Sequence, residues 1–323
     1  MTAGIGSDLE RAAAHLRAGE LVAIPTETVY GLAANALDAD ASLRIFEAKE
    51  RPAFDPLIVH VRSRAQALEL CETPSAEALA LMDAFWPGPL TLVLTKRAAI
   101  PDMVTSGLDT VALRQPAHPL TAELLARLSF PLAAPSANLF GRTSPTTAQH
   151  VAEQLGDRIA YILDGGTCAV GVESTILGWE ERRLVLYRPG GTPLEAIERI
   201  FGHVGAAQRR VLPAAPGMLA AHYAPRTPLE LRELGELDAR LAGLAGRRVA
   251  VLAFDRARPA HACRVLSARG DPAEAAHRLF SSLRELDASG ADLILAEPVP
   301  EVGLGRAIND RLRRAAAARS GQA

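Results

Sequence analysis

Short apolar runs recur along the chain, each closed by proline, glycine or a polar cluster. Runs of this length, rich in branched side chains, read as buried strands. They fall at 21–24, 57–61, 90–95, 110–114, 131–134, 160–163, 174–178 and 183–188. Between several of them the apolar residues recur at helical spacing. Ser7 with Glu10 makes a capping box for a helix to about residue 18. Asp40 or Ser42 opens another that ends near Lys49, Ser63 and Ser75 begin two more, and a further one spans 119–128. Thr192-Pro193-Leu194-Glu195 combines a cap, a first-turn proline and a capping-box acid for the last helix of this half.

Residues 203–228 break the pattern. They hold Pro213, Pro216, Pro225 and Pro228, many small residues and no sustained period, which marks a linker. Beyond it, strands at 248–254 and 291–296 alternate with a helix capped by Asp271-Pro272 and another at 306–317. The expected organisation is a first α/β domain at 1–202, a linker at 203–228, and a small Rossmann-like open α/β domain at 229–323. Gly303-Leu304-Gly305 stands before the last helix, where two glycines are more often a turn than a nucleotide loop.

The stretch 21–61 organises the first domain. Pro25 stops its first apolar run, and Thr26 to Leu32 follows as a polar loop with Gly31 at an expected special φ/ψ. Lys49-Glu50-Arg51-Pro52 ends the helix, Asp55 follows, and His60 lies inside the next apolar run. Of 35 basic residues only Lys49 and Lys96 are lysine. A retained lysine in so arginine-biased a chain is informative, because a compact ammonium and a planar guanidinium do different work. The plainer alternative has Lys49 and Arg51 exposed at a helix end, complementing its dipole.

Composition narrows the class. With 323 residues, 49% apolar and 22% charged, the chain is that of a globular protein with room for two domains. A net charge of −2 gives no global attraction to nucleic acid, although it leaves room for a local basic patch. Cys71, Cys168 and Cys263 are scattered, with neither CxxC nor His/Cys metal spacing, so no disulfide framework and no metal-ligating set is expected. No apolar run approaches the length of a membrane span and no signal pattern opens the chain, so the expectation is a cytoplasmic protein away from membranes.

One series of motifs goes further. Pro25 to Leu32, Lys49-x-Arg51 and Asp55-Pro56-Leu57-Ile58-Val59-His60 resemble the opening of the YrdC-type threonylcarbamoyl-AMP synthases. In the same order come Trp86-Pro87-Gly88-Pro89-Leu90-Thr91, Gly107 to Arg114, Ala134-Pro135-Ser136-Ala137-Asn138, Gly171 to Thr175 and Arg188-Pro189-Gly190. Pro216-Gly217-Met218 and His222-Tyr223-Ala224-Pro225 resemble the linker of that family's two-domain branch. The resemblance implies a YrdC-like α/β domain with a twisted mixed sheet. It also implies an enzyme condensing L-threonine, bicarbonate and ATP, with Mg²⁺ accompanying the nucleotide and tRNA or a downstream transfer protein receiving the product.

Residue by residue, the resemblance implies that Lys49 and Arg51 face the triphosphate and carry the catalysis. Asp55, Thr110, Ser136, Ser144 and Arg188 are the further implied ATP contacts, and Thr28, His60, Arg114, the backbone at Ala134, and Ser174 those of threonine. Glu27 and Glu173 are the candidates for a general base. Two departures stand out. Asp55 replaces a frequent asparagine, and an acid beside phosphate is unfavourable unless it holds Mg²⁺ or turns away. Leu219-Ala220-Ala221 replaces a piece with a closing tyrosine, leaving Tyr223 as the nearest aromatic and Met218 and Leu219 to close by apolar packing. Two other readings carry different expectations. An RNA-binding module would show steep salt dependence without pyrophosphate release. A carbamoyl-transfer maturation factor would carry zinc-finger and acylphosphatase-like segments that this chain lacks.

Overall fold

The computed structural model describes residues 3–208, 218–219 and 221–318. The chain divides into two compact units. One comprises Met1–Phe140, Pro145–Ala169 and Glu173–Met218, the other Gly141–Ser144, Val170–Val172 and Leu219–Ala323.

The first unit is built on a mixed sheet of eleven strands among the described residues. From one edge to the other these are Gly4–Gly6, Tyr161–Leu163, Val22–Ile24, Gly31–Asn35, Leu132–Ala133, Ile58–His60, Thr110–Arg114, Leu90–Thr95, Thr175–Glu180, Arg183–Arg188 and Gly205–Ala206. Parallel pairs, such as Ile58–His60 with Thr110–Arg114, are mixed with antiparallel ones, such as Leu90–Thr95 with Thr110–Arg114. Side chains alternate across a strand, so each strand supplies both faces. Leu57, Val59, Val111, Leu113, Leu92 and Leu94 enter the main core, whereas Ile58, Val93, Ala112, Ile176, Val185 and Tyr187 form a second apolar layer. Met218 packs on that second layer. The candidate site residues His60 and Arg114 lie on the strands that carry Ile58 and Ala112, two positions along and therefore on the same face.

Several boundaries differ from expectation for local reasons. Asp8, not Ser7, caps the first helix and accepts from Arg11 N, and Asp38, not Asp40 or Ser42, caps the helix Ala39–Lys49. Ser63, Ser75 and Asp271 cap as expected. Thr192 is not a cap: its amide donates to Thr175 Oγ1, and the helix Leu194–Phe201 starts after Pro193 without a side-chain cap. Gly31 does not have a positive φ; it sits in a strand, where an added Cβ would come within 3.2 Å of Ala134 Cβ. A close approach to Ala134, rather than a turn, favours glycine there. Within the expected linker, Gly205–Ala206 pairs with Val185 and Leu186 as an edge strand. The closing-tyrosine position, Ala220, lies outside the described residues, as do Pro213, Pro216 and Gly217.

The second unit has a four-stranded parallel sheet in the order Leu229–Leu231, Leu293–Ala296, Val249–Ala253 and Ala262–Val265. Its helices are Leu234–Ala242, Pro272–Asp287 and Gly305–Ala317. The open parallel sheet matches the Rossmann-like expectation. Gly303 takes φ +54°, and a Cβ on Gly305 would lie 1.9 Å from Pro300 O. Backbone geometry thus accounts for both glycines as a turn. No helix among the described residues is long and apolar enough to cross a membrane.

Candidate active site

Lys49 ends its helix with a side chain only 1% exposed. Its Nζ donates to Ser136 O at 2.6 Å and Asn138 O at 2.5 Å. An ammonium has three donors, so one N–H remains for a ligand oxygen. Burial, and then the Arg51 charge, hold Lys49 well below the ordinary lysine range, with Asp55 acting the other way. Glu50 turns left-handed at φ +54°, which stops the helix and leads the chain to Arg51. The expectation of an exposed helix end is therefore overturned for both cations, since Arg51 is 8% exposed. A lysine whose carbonyl partners lie 87 and 89 residues away is sequestered by tertiary structure, not by its own helix.

Arg51 Nε and Nη2 donate to Asp55 O and Pro56 O at 2.9 and 2.8 Å, and Nη2 is 2.9 Å from Asp55 Oδ2. Asp55 is completely buried. Burial raises its pKa, against the opposing pull of Arg51, Lys49 and Arg188. The acid that departs from the motif is thus turned to Arg51 and lies in the field of three cations.

A second constellation gathers around Arg114. Its Nη1 donates to Thr28 Oγ1 at 2.9 Å, Nε donates to Gly88 O at 3.3 Å, and Nη2 lies 2.7 Å from Glu27 Oε1. The other Glu27 oxygen accepts from Ala117 N at 3.0 Å. Thr28 Oγ1 is also 2.7 Å from Thr26 Oγ1, which donates to Val29 O. His60 is 2% exposed, and burial followed by the Arg114 charge pushes its pKa down to about 3. The imidazole is neutral at any working pH.

Ser174 joins a third group. Arg188 Nη2 donates to Ser174 O at 2.9 Å, and Ser174 Oγ is 2.7 Å from Thr91 Oγ1. A Cβ on Gly190 would lie 2.3 Å from Ser174 C, so only glycine lets the Arg188-Pro189-Gly190 segment lie against this backbone.

The structure therefore draws Lys49, Arg51, Asp55 and the Ser136 carbonyl together, links them through Asp55 to the field of Arg188, and places Arg188 on Ser174. Thr28, Arg114 and His60 form their own cluster, and Ala134 N donates to Ile58 O beside it. Two expected residues stand apart from these contacts. Thr110 borders a cavity of about 490 Å³ shared with Thr95, Trp179 and Tyr187. Ser144 is fully buried in a short segment that belongs to the second unit.

Comparison with known proteins fits this geometry. The Sua5/YciO/YrdC family profile, described as telomere recombination, matches residues 14–190, and that of the threonylcarbamoyl-AMP synthase C-terminal domain matches 192–317. The threonylcarbamoyl-AMP synthase of Pyrococcus abyssi is 45% identical over 94% of this chain and 92% of its own length. That of Bacillus subtilis is 44% identical over 96% and 93%. The crystal structure of P. abyssi Sua5 complexed with L-threonine superposes with a TM-score of 0.92 at 42% identity, covering 99% of this chain and 98% of that one. The chain belongs to the threonylcarbamoyl-AMP synthase family.

Within that family fold, sequence reading missed the partners of its own candidates. Thr91 and the Gly88 carbonyl were visible only as parts of a motif, and Glu27 was considered as a base rather than as the counter-ion of Arg114. Their roles depend on strand register and on turns, which no local spacing encodes.

The buried imidazole has a measurable consequence for stability. Between the unfolded pKa near 6.5 and the folded value of about 3, the unfolded chain binds a proton at His60 that the native chain does not. Native stability therefore falls as pH drops through this window, by about 1.4 kcal/mol per pH unit from this residue. Urea titrations should show a shallower loss in His60→Gln than in wild type between pH 6 and 4. Parallel curves for the two proteins would place the acid sensitivity elsewhere.

Proposed function

We propose that this chain condenses L-threonine, bicarbonate and ATP to threonylcarbamoyl-AMP and pyrophosphate, in the cytoplasm, as the supply for tRNA modification. The observation that carries the reading is the pairing of two chemistries in one unit. Buried Lys49, Arg51 and Arg188 suit a polyphosphate, and the Arg114 fork with Thr28 suits an amino acid that has a hydroxyl.

In this reading Lys49 and Arg51 take the triphosphate and Arg188 the nucleotide from the Ser174 side, with Ser136 as a neutral contact. The threonine amine attacks the bicarbonate carbon and water is lost, giving the N-carbamate. A carbamate oxygen then attacks the α-phosphorus, the bond to pyrophosphate breaks, and the leaving group's charge is met by the triphosphate cations. Positioned charge of this kind supplies most of the catalysis in such a displacement. Asp55 serves ATP through Arg51, holding the guanidinium rather than touching phosphate. Arg114 takes the threonine carboxylate in bidentate fashion, and Thr28, His60, Ser174 and the Ala134 backbone surround the rest.

Magnesium is proposed to travel with ATP. Among the described residues no group of three or more His, Cys, Asp or Glu side chains is placed to hold a metal ion. The nearby acids Asp55 and Glu27 each face an arginine. That donor set fits an ion carried by phosphate oxygens and water rather than a protein cage.

The test is pyrophosphate release that requires both L-threonine and bicarbonate. Salt-sensitive RNA binding without turnover would favour a binding module instead. The same assay reads specificity. A site that hydrogen-bonds the substrate hydroxyl leaves its own polar groups unpaired when an analogue lacks it, which costs a factor of about 10⁴–10⁵ in sites of this kind. Valine should be a very poor substrate and serine a poor one. Comparable turnover with valine would remove Thr28 and Ser174 as readers of the hydroxyl.

A further inference from the structure

The second unit contains a cavity of about 1170 Å³ that the reaction above does not use. It opens at the carboxyl ends of the neighbouring parallel strands Val249–Ala253 and Leu293–Ala296. The first of these strands leads on to Ala262–Val265 at one side of the sheet. The second leads to the helix Gly305–Ala317, which packs on Leu229–Leu231 at the other side. Connections that diverge in this way open a crevice, and such crevices are where open α/β sheets bind ligands. Residues immediately after the two strands line it, among them Phe254, Asp255, Arg258, Glu297 and Val299.

Glu297 is the buried carboxylate of this crevice, 5% exposed. Its Oε2 accepts from Phe254 N at 3.1 Å and lies 3.8 Å from Arg258 Nη2. Its Oε1 receives no hydrogen bond from the described residues. The lining contains five carboxylates, Glu233, Asp238, Asp255, Glu297 and Glu301, against three guanidiniums, Arg256, Arg258 and Arg313. Arg258 is paired more closely with Asp238, at 3.2 Å, and Arg313 is paired with Glu301. Glu233 and Asp255 have no ion pair among the described residues, and the lining carries two more carboxylates than guanidiniums. Leu241, Ala242, Phe254 and Val299 add apolar wall to the same lining.

We propose that this cavity binds an aliphatic polyamine. Glu297, Asp255 and Glu233 hold its ammonium groups, and Phe254, Leu241 and Val299 cover the methylene spacers. The charge balance selects the class. A nucleotide or RNA phosphate would meet an excess of negative charge. An amino-acid zwitterion would have only Arg256 for its carboxylate, against an excess of carboxylates in the lining. A metal ion would need a tight donor cluster, and among the described residues none is present. A lining that combines excess carboxylates with apolar wall matches ammonium groups joined by methylenes.

The experiment is calorimetric titration of the full-length protein with spermidine at low ionic strength, repeated with saturating L-threonine. Saturable one-to-one binding is expected, unaffected by threonine, and weakened at least about tenfold by Asp255→Asn and by Glu297→Gln. The Glu297→Gln side chain keeps an amide oxygen for Phe254 N, and Asp255 is exposed, so at least the Asp255 variant tests the site without disturbing the fold. AMP and glycine should not displace bound spermidine. Absence of saturable spermidine binding, equal binding in wild type and Asp255→Asn, or competition by AMP or glycine would each overturn the assignment.

Discussion

Arg51→Ala lowers pyrophosphate release by at least about 10²-fold and destabilises the first unit in the same step. Losing one charge stabiliser from a dry site costs about 10²–10³ in rate. The stability loss has a separate cause. Asp55 is completely buried, and removing Arg51 leaves its carboxylate without the guanidinium 2.9 Å away. Breaking a buried pair from one side costs about 3–5 kcal/mol. Asp55→Asn in the Arg51→Ala background removes the stranded charge, so the double variant should regain much of the stability and none of the turnover. Lys49→Ala should match the loss of turnover. It also strips the donor from the Ser136 and Asn138 carbonyls, at about 1–3 kcal/mol for each buried acceptor left unpaired. Had either cation been an exposed helix-end charge, its melting temperature would not move. Denaturant unfolding beside steady-state turnover separates the two effects, and wild-type turnover in either single variant would remove that residue from the mechanism.

Arg114→Ala has the second largest expected effect, concentrated in L-threonine. The guanidinium is already held by Glu27, Thr28 Oγ1 and the Gly88 carbonyl, so the fork is oriented before substrate arrives. Preorganisation of this kind lowers the ordering cost of binding. Its loss should raise the KM for threonine and lower kcat/KM by about 10²-fold, within the range for truncating a buried charged hydrogen-bond partner. Binding of ATP should survive within a few-fold. Arg114→Lys should not rescue, because a single ammonium cannot present two parallel donors to a carboxylate. Threonine calorimetry and kinetics at varied threonine check this. Unchanged threonine affinity in Arg114→Ala would move the carboxylate site elsewhere.

Apolar patterning located much of the sheet. Leu90–Thr95 and Thr110–Arg114 fall where period and branching put them, because buried strands need continuous apolar character and leave little choice of boundary. Gly31–Asn35 was hidden, since Gly-Leu-Ala-Ala-Asn has weak strand preference and becomes a strand only between neighbours on both sides. The helix Ala148–Leu155 was hidden in a polar stretch, although Thr147 caps it through His150 N and in retrospect signals its start. Caps were ambiguous wherever several small polar residues crowd together, as at Asp38, Asp40 and Ser42.

By itself, the sequence determined much of the order of α/β elements, the change of character near residue 203 and the ordered motifs that carry the family. All three are properties of neighbouring residues or of residue identity. Tertiary structure alone decided what each charged group faces. Lys49 looks solvent-exposed at the end of a helix and is enclosed by carbonyls of residues 136 and 138. Asp55 looks like an acid misplaced beside phosphate and is the buried partner of Arg51. Glu27 looks like a base and is the counter-ion of Arg114. The reason is the same in each case: the energy of a charge depends on its burial and on oxygens or nitrogens within a few ångströms, and these come largely from chain segments distant in sequence.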